Sequence, residues 1–342
     1  MRALVRRVSD SFEKALASYF GSGPTDVNEA KSQHSLYISK LEELGLSIRI
    51  LEEIMLEGGD GKVAIVTGAG RLRGIGRATA VALARMGADV VVTGTGRDSD
   101  TFPDDEKAIN WRDIESTADE IREHGVRALP LVADARNIED AQNTVLETVE
   151  AFGRVDILVN NAGSGLLGNH KDLDTRKVRN VLDLNIQVLT ELCSVFARLL
   201  IARGQAGSIL NVASIGAFVP VPQLAAYTAS KHYVLAFTHA LAHELAPHNI
   251  YVGALCPGIT RTKIYDTMGL KAENQTKGSI SDRIDAFSMD ADRVALCAIN
   301  AIEKKKRQAL PGINRMVTFF RILPPRFTSW FMYKFTEGRS VS

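Results

Sequence analysis

Residues 62–86 read KVAIVTGAGRLRGIGRATAVALARM. Val63, Ala64, Ile65 and Val66 form a short apolar run that reads as a strand buried on both faces. A glycine-rich turn follows at once, and from Ile75 onward the apolar residues recur at helical spacing. Gly68 lets the chain turn tightly after the strand. Gly74 lets a ligand approach backbone without meeting a Cβ, and Gly76 lets the helix lie close to the sheet. The free N–H groups at the helix start near Ile75, with their partial positive charge, suit the pyrophosphate of a dinucleotide. Glycines between a strand and a helix are far more specific than the same glycines alone.

Working outward, the same texture repeats. Apolar runs rich in Val, Ile or Leu predict strands over 62–67, 89–93, 128–133, 156–160, 208–212 and 251–256. Helical spacing predicts helices over 75–86, 111–123, 138–151, 175–202, 225–245 and 291–304. Strands alternating with helices imply an α/β fold: a Rossmann-like, doubly wound parallel sheet of about seven strands with helices on both faces. Its ligand crevice lies beyond the carboxyl ends of the strands. Three zones follow: a helical extension over 1–60, the α/β domain over 61–312 and an aromatic, basic extension over 313–342.

Composition bounds the function. The 342 residues are 45% hydrophobic and 24% charged, as in an ordinary folded domain, which excludes a mostly disordered chain or a small disulfide scaffold. A net charge of +1 gives no reason to expect nucleic acid as a partner. Cys193, Cys256 and Cys297 are far apart and form no CxxC pair, so no metal is expected, and free thiols fit a reducing compartment. The charge-free run 206–230 contains Pro220, Pro222 and several glycines, so no transmembrane span is expected there. The amino terminus lacks a secretory apolar stretch, and Asp10 and Glu13 oppose a transit peptide. The expected location is cytoplasmic.

Tyr227-Thr228-Ala229-Ser230-Lys231 carries the chemistry. Residues four apart share a helix face, so Tyr227 and Lys231 project together. A free tyrosine has a pKa near 10, and a neighbouring ammonium is expected to lower it toward the working range of a general acid/base.

With the glycine turn and this pair in place, the chain resembles the short-chain dehydrogenase/reductase family over 61 to about 312. The family's usual turn is TGxxxGxG. Here five positions, not three, separate Gly68 from Gly74, read as a bulge around Arg71-Leu72. The resemblance implies a catalytic set of Asn185, Ser214, Tyr227 and Lys231. Ser214 would hold the substrate oxygen beside Tyr227, and Asn185 a water relaying protons to Lys231. It implies cofactor contacts from Gly68, Arg73, Gly74, Ile75, Gly76, Thr95, Asp134, Asn161, Ala162, Gly163, Pro257, Gly258, Ile259 and Thr262, with Tyr227 and Lys231. Asp134 would meet adenine, and Ile259 and Thr262 the nicotinamide carboxamide. In Asn160-Asn161-Ala162-Gly163, the asparagines serve either the cofactor or the ties between strands. NAD-preferring relatives place an acid where Gly94 stands. An uncharged Gly94, with Arg73, Thr95 and Arg97 near a 2′-phosphate, implies NADP(H) rather than NAD(H).

The implied reaction interconverts a carbonyl and a secondary alcohol by hydride transfer. Ser164, Gly165, Leu166, Ile215, Val219, Pro220 and the stretch 264–284 are expected at the substrate, whose apolar members suggest a hydrophobic or acyl-type compound. The acidic segment 96–110 reads either as a cover for the adenosine end or, preferred, as a solvated loop. Tyr37, Leu41, Leu44, Ile48, Leu51 and Met55 form a heptad-like stripe, expected to lie on a helix packed on its own domain or on another subunit. Phe319, Phe320, Phe327, Trp330, Phe331, Tyr333 and Phe335, with Arg315, Arg321, Arg326 and Lys334, would cap a pocket, meet another subunit or lie on an anionic membrane over 313–335. Family members pair through the helices matching 175–202 and 225–245, which implies a homodimer or homotetramer. The competing reading is a catalytically silent dinucleotide sensor or scaffold. An epimerase or dehydratase relative would show GxxGxxG and a larger carboxyl-terminal domain, and neither is present.

Overall fold

The computed structural model describes residues 2–6, 47–51, 61–134, 137–262, 288–312 and 323–337. Two compact units divide the chain, Met1–Glu57 and Gly58–Ser342. In the first, β1 (Arg2–Arg6) pairs in parallel with β2 (Ser47–Leu51). This corrects the helix expected through Ile48 and Leu51. The run SIRIL alternates β-branched Ile48 and Ile50, and such residues favour a strand. The other stripe positions, Tyr37, Leu41, Leu44 and Met55, lie outside the described residues.

In the second unit, β3 (Val63–Val66) leads into α1 (Ile75–Ala84) and β4 (Asp89–Gly94). Then come a short α2 (Asp104–Ala108), α3 (Ile114–Arg122), β5 (Ala128–Val132) and α4 (Ile138–Phe152). The second half runs β6 (Ile157–Asn160), α5 (Thr175–Leu182), α6 (Leu189–Ala202), β7 (Gly207–Val212), α7 (Ala225–Glu244) and β8 (Ile250–Leu255). It closes with α8 (Ala291–Glu303), β9 (Gln308–Ala309) and α9 (Pro325–Glu337).

The seven strands pair in parallel in the order β5-β4-β3-β6-β7-β8-β9. Strand order reverses beside β3, and β3 and β6 are neighbours there. A crevice at that switch point is where a doubly wound sheet takes its ligand. The central strands read as unbroken apolar runs because both faces are covered, as the fully buried β3 and β8 show. One contiguous cluster, with Ile65, Leu158, Phe196, Leu200 and Ile209 at its centre, fills the interior.

The helix expected over 175–202 is interrupted. Asp183–Val188 forms a π-helical segment between α5 and α6, and Asn185 lies in it. By length and composition Thr175–Ala202 could cross a membrane. Its Leu192, Cys193, Phe196 and Leu200 instead face the protein core, which accounts for its apolarity.

Candidate active site

The glycine turn is held from two sides. Gly68 has φ +67°, a conformation glycine adopts freely, and a Cβ there would lie 2.8 Å from Ala162 Cα. A Cβ on Gly76 would strike the Asn161 amide and lie 2.6 Å from the Gly68 carbonyl. Asn161 Nδ2 donates to the carbonyls of Thr67 (2.8 Å) and Gly68 (2.9 Å), tying the end of β6 to the turn after β3. Asn160 Nδ2 donates to Asn211 Oδ1 (2.8 Å) and Cys193 Sγ (3.3 Å), inside the core. The open question of the asparagines thus has a structural answer for both side chains: they cross-link strands. The turn that remains is backbone-lined, opens at α1's amino terminus and fits a dinucleotide pyrophosphate.

The bulge has a partner that sequence reasoning missed. Segment 95–113 folds back on it. Trp111 Nε1 donates to the Gly70 carbonyl (2.7 Å), Thr117 Oγ1 to the Ala69 carbonyl (2.8 Å), and the Leu72 N–H donates to Glu106 Oε1 (3.1 Å). Within the acidic segment 96–110, Asp98, Asp100 and Asp104 are exposed as the solvated loop requires, whereas Glu106 is only 1% exposed and Asp113, just beyond the segment, 6%. Arg97 explains how the acids are tolerated there. Its guanidinium donates to Glu106 Oε2 (2.9 Å) and Asp113 Oδ1 (2.9 Å) and stacks over Phe102 at 4.6 Å. Arg73, more exposed, pairs with Asp105 at 2.8 Å. The two arginines expected at a 2′-phosphate therefore already carry carboxylates. Thr95 is exposed beyond β4, and the Asp134 backbone N–H donates to Asp140 Oδ2 at 2.9 Å.

On the other side of the switch point, the structure brings the catalytic candidates together. A Cβ on Gly216 would lie 3.4 Å from Ser214 Oγ and 3.7 Å from Tyr227 Cε1, so those side chains share one small space. A Cβ on Gly163 would lie 3.2 Å from Asn185 Oδ1 and 3.3 Å from Lys231 Nζ. Glycine at 163 keeps room between the end of β6 and the ammonium. Asn185 is locked: its Oδ1 accepts from the Ser164 N–H (3.0 Å), and its Nδ2 donates to the Ser164 carbonyl (2.9 Å) and Ser230 Oγ (2.9 Å). The π-helical turn carries it into that position. Ser230, which sits inside YTASK, was not singled out from sequence, yet it anchors Asn185.

Lys231 is buried and donates from Nζ to the Val212 carbonyl at 2.9 Å. Burial pulls its pKa down to about 8, against a small opposing effect of Cys256. Tyr227 is half-buried, and desolvation of its hydroxyl pushes its pKa above the ordinary value, with Ser214 pulling partly back. The expected lowering of Tyr227 by Lys231 is therefore corrected. Nζ stands 5.9 Å from the ring centroid and is aimed at a carbonyl.

The loop after β8 is anchored where the nicotinamide side was expected. The Ile215 N–H donates to the Pro257 carbonyl (2.8 Å), and the Met289 N–H to the Ile259 carbonyl (2.9 Å). Gly258 is half-buried, and the Thr262 N–H donates to the Thr260 carbonyl (2.6 Å). Of the expected substrate-side residues, Ser164, Leu166, Ile215 and Pro220 are half-buried and Gly165 is buried. Val219 belongs to the core cluster, and 264–284 lies outside the described residues. In the tail, Thr328 is buried and Met332 packs on the core. Arg326, Ser329, Trp330 and Tyr333 line a cleft of about 530 Å³ with Pro220 and Pro222. Phe319, Phe320, Arg315 and Arg321 lie outside the described residues.

Comparison with known proteins bears on the fold as a whole. The family model for short chain dehydrogenases matches residues 62–273. "Probable oxidoreductase EphD" of Mycobacterium tuberculosis is 33% identical over 273 residues, covering 77% of this chain. The chain spans only 43% of that relative's length. A short-chain dehydrogenase/reductase of Burkholderia phymatum, solved in complex with NAD, is 28% identical with a TM-score of 0.63, covering 77% of this chain and 92% of its own. A short-chain dehydrogenase of Sphingobium yanoikuyae, solved with NADPH, is 25% identical with a TM-score of 0.60, covering 82% and 96%.

Proposed function

The chain belongs to the short-chain dehydrogenase/reductase family, and from that premise we propose that it interconverts a carbonyl and a secondary alcohol with a nicotinamide dinucleotide. The observation that carries the proposal is the convergence of Ser214 and Tyr227 on Gly216, and of Asn185 and Lys231 on Gly163. When bound, the dinucleotide supplies or accepts the hydride. The glycine turn would hold its pyrophosphate, Asn161, Ala162 and Gly163 its middle, and Pro257, Gly258, Ile259 and Thr262 its nicotinamide end.

The chain's own residues supply the proton chemistry. Ser214 Oγ would donate to the substrate oxygen and hold it beside Tyr227. The Tyr227 hydroxyl gives its proton to that oxygen in reduction and takes it back in oxidation. A raised pKa keeps that hydroxyl protonated at neutral pH, ready to donate. Carbonyl reduction is thus expected to hold its rate through neutral pH and to decline only at strongly alkaline pH. The pH profile of kcat for reduction checks this, and a decline already complete below about pH 8 would remove Tyr227 as the proton donor. Lys231 and Asn185 form the far wall of this site, Lys231 as a cation and Asn185 as a fixed amide.

Gly94, Arg73, Thr95 and Arg97 together imply NADP(H). With both arginines paired, the uncharged Gly94 and the exposed Thr95 still support it. The substrate reading is a hydrophobic or acyl-type carbonyl compound, supported by the proline and aromatic cleft beside the Ser214 loop. A panel of apolar and polar carbonyls, followed by absorbance of the reduced nicotinamide, tests the activity. Binding without turnover across that panel would favour the silent sensor. A homodimer or homotetramer built on α6 and α7 is also proposed. Tyr233 and Phe237 of α7 stack at 5.7 Å, and Tyr233 is exposed on the helix surface. Light scattering is expected to give two or four times the 37.2 kDa chain mass, and a single chain mass would refute it.

A further inference from the structure

The two departures from the family pattern, a longer glycine turn and a longer segment after β4, meet in space. A Cβ at Gly94 would lie 2.7 Å from Ile114 Cγ2, so an acid there would have to displace Ile114. The same segment brings another acid to that place. Asp113 Oδ2 lies 3.6 Å from the Gly94 Cβ position, and a Cβ on Gly70 would strike Asp113 Oδ1. The carboxylate thus stands between the end of β4 and the glycine turn. Asp113 is held there at φ 55° and ψ −126°, a left-handed conformation that strains a non-glycine residue. Strain of this kind persists where the surroundings over-determine it. Here the Arg97 side chain donates twice to Oδ1 (2.9 and 3.2 Å), and the Arg97 N–H donates to Oδ2 at 3.3 Å.

We propose that Asp113 sets the dinucleotide preference: its carboxylate receives the adenosine ribose hydroxyls and turns away a 2′-phosphate, so the protein takes NAD(H) over NADP(H). The inference rests on the oxidoreductase reading above. A carboxylate has about four acceptor positions, and Oδ2 accepts the Arg97 N–H at 3.3 Å, leaving it acceptor capacity for a further hydroxyl. Arg97 faces both Glu106 and Asp113, so that cluster of three carries one net negative charge. A 2′-phosphate would bring further negative charge to that surface.

Fluorescence titration of the full chain with NADH and NADPH tests this without turnover. The wild type is expected to bind NADH at least tenfold more tightly, and high salt is expected to narrow the gap by screening the repulsion. Asp113→Asn should shrink the ratio severalfold, mainly by tightening NADPH. NADPH binding as tightly as NADH in the wild type would overturn the proposal, as would a ratio unchanged in a folded Asp113→Asn protein. If that variant does not fold, the wild-type ratio and its salt dependence decide. If neither dinucleotide binds, the oxidoreductase reading falls and takes this inference with it.

Discussion

Tyr227→Phe is expected to lower kcat by about 10²- to 10⁴-fold while leaving dinucleotide binding within about twofold of wild type. The change deletes one oxygen and keeps the ring, so the space it shares with Ser214 beside Gly216 keeps its shape. Removing a single hydroxyl should alter stability by about 1 kcal/mol or less. The loss falls on kcat because the hydroxyl is needed when the substrate oxygen gains or loses charge, not when the dinucleotide docks. Ser214→Ala is expected to be milder, about 10²- to 10³-fold, since it removes a donor and leaves the proton source. Steady-state kinetics with an active carbonyl, alongside NADH titration, makes the measurement. A Tyr227→Phe enzyme within threefold of wild type would end the assignment.

The features legible in the sequence are those whose physics is local. The strand, glycine turn and helix over residues 62–86 needed only burial, backbone freedom and helical spacing. Tyr227 and Lys231 needed only the helical repeat, and β3 through β8 showed as apolar runs. The features that were missed depend on partners far along the chain. Glu106 looks like a member of an acidic loop, and Asp113 like an ordinary residue of the helix expected over 111–123, until Arg97, Gly70 and Leu72 are seen around them. Ser230 counts as a spacer until Asn185 is found on it. The π-helical turn at Asp183–Val188 has no periodic signature, and β9 has two residues, too few for any pattern. At Ile48 and Leu51 the heptad-like stripe gave way to a strand for another reason. Ile48 and Leu51 fit a helix by spacing, but Ile48 and Ile50 fit a strand by branching, and pairing with Arg2–Arg6 settles the outcome.

Lys231→Met should separate what this side chain does for chemistry from what it costs the fold. Turnover is expected to fall by about 10²-fold or more, because the cation that lines the site with Asn185 and Gly163 is lost. Stability should respond in a pH-dependent way. An ordinary lysine pKa of 10.5 falls to about 8 in the fold, so the folded protein resists charging Lys231. Below pH 8 the wild type bears that penalty in full. As pH rises from 8 to 10.5 the unfolded chain holds a proton that the folded one has released, and the wild type gains stability. At 1.36 kcal/mol per unit the gain approaches about 3 kcal/mol. Methionine carries no charge and shows no such gain, though it leaves the Val212 carbonyl without its donor at a pH-independent cost of about 1–3 kcal/mol. Urea unfolding of both proteins without cofactor, at pH 7 and pH 10, gives the difference directly. The wild type should gain on the variant by roughly 2–3 kcal/mol over that interval. Parallel stabilities at the two pH values would mean that Lys231 is fully charged in the fold, and the buried-ammonium account of the site would fail.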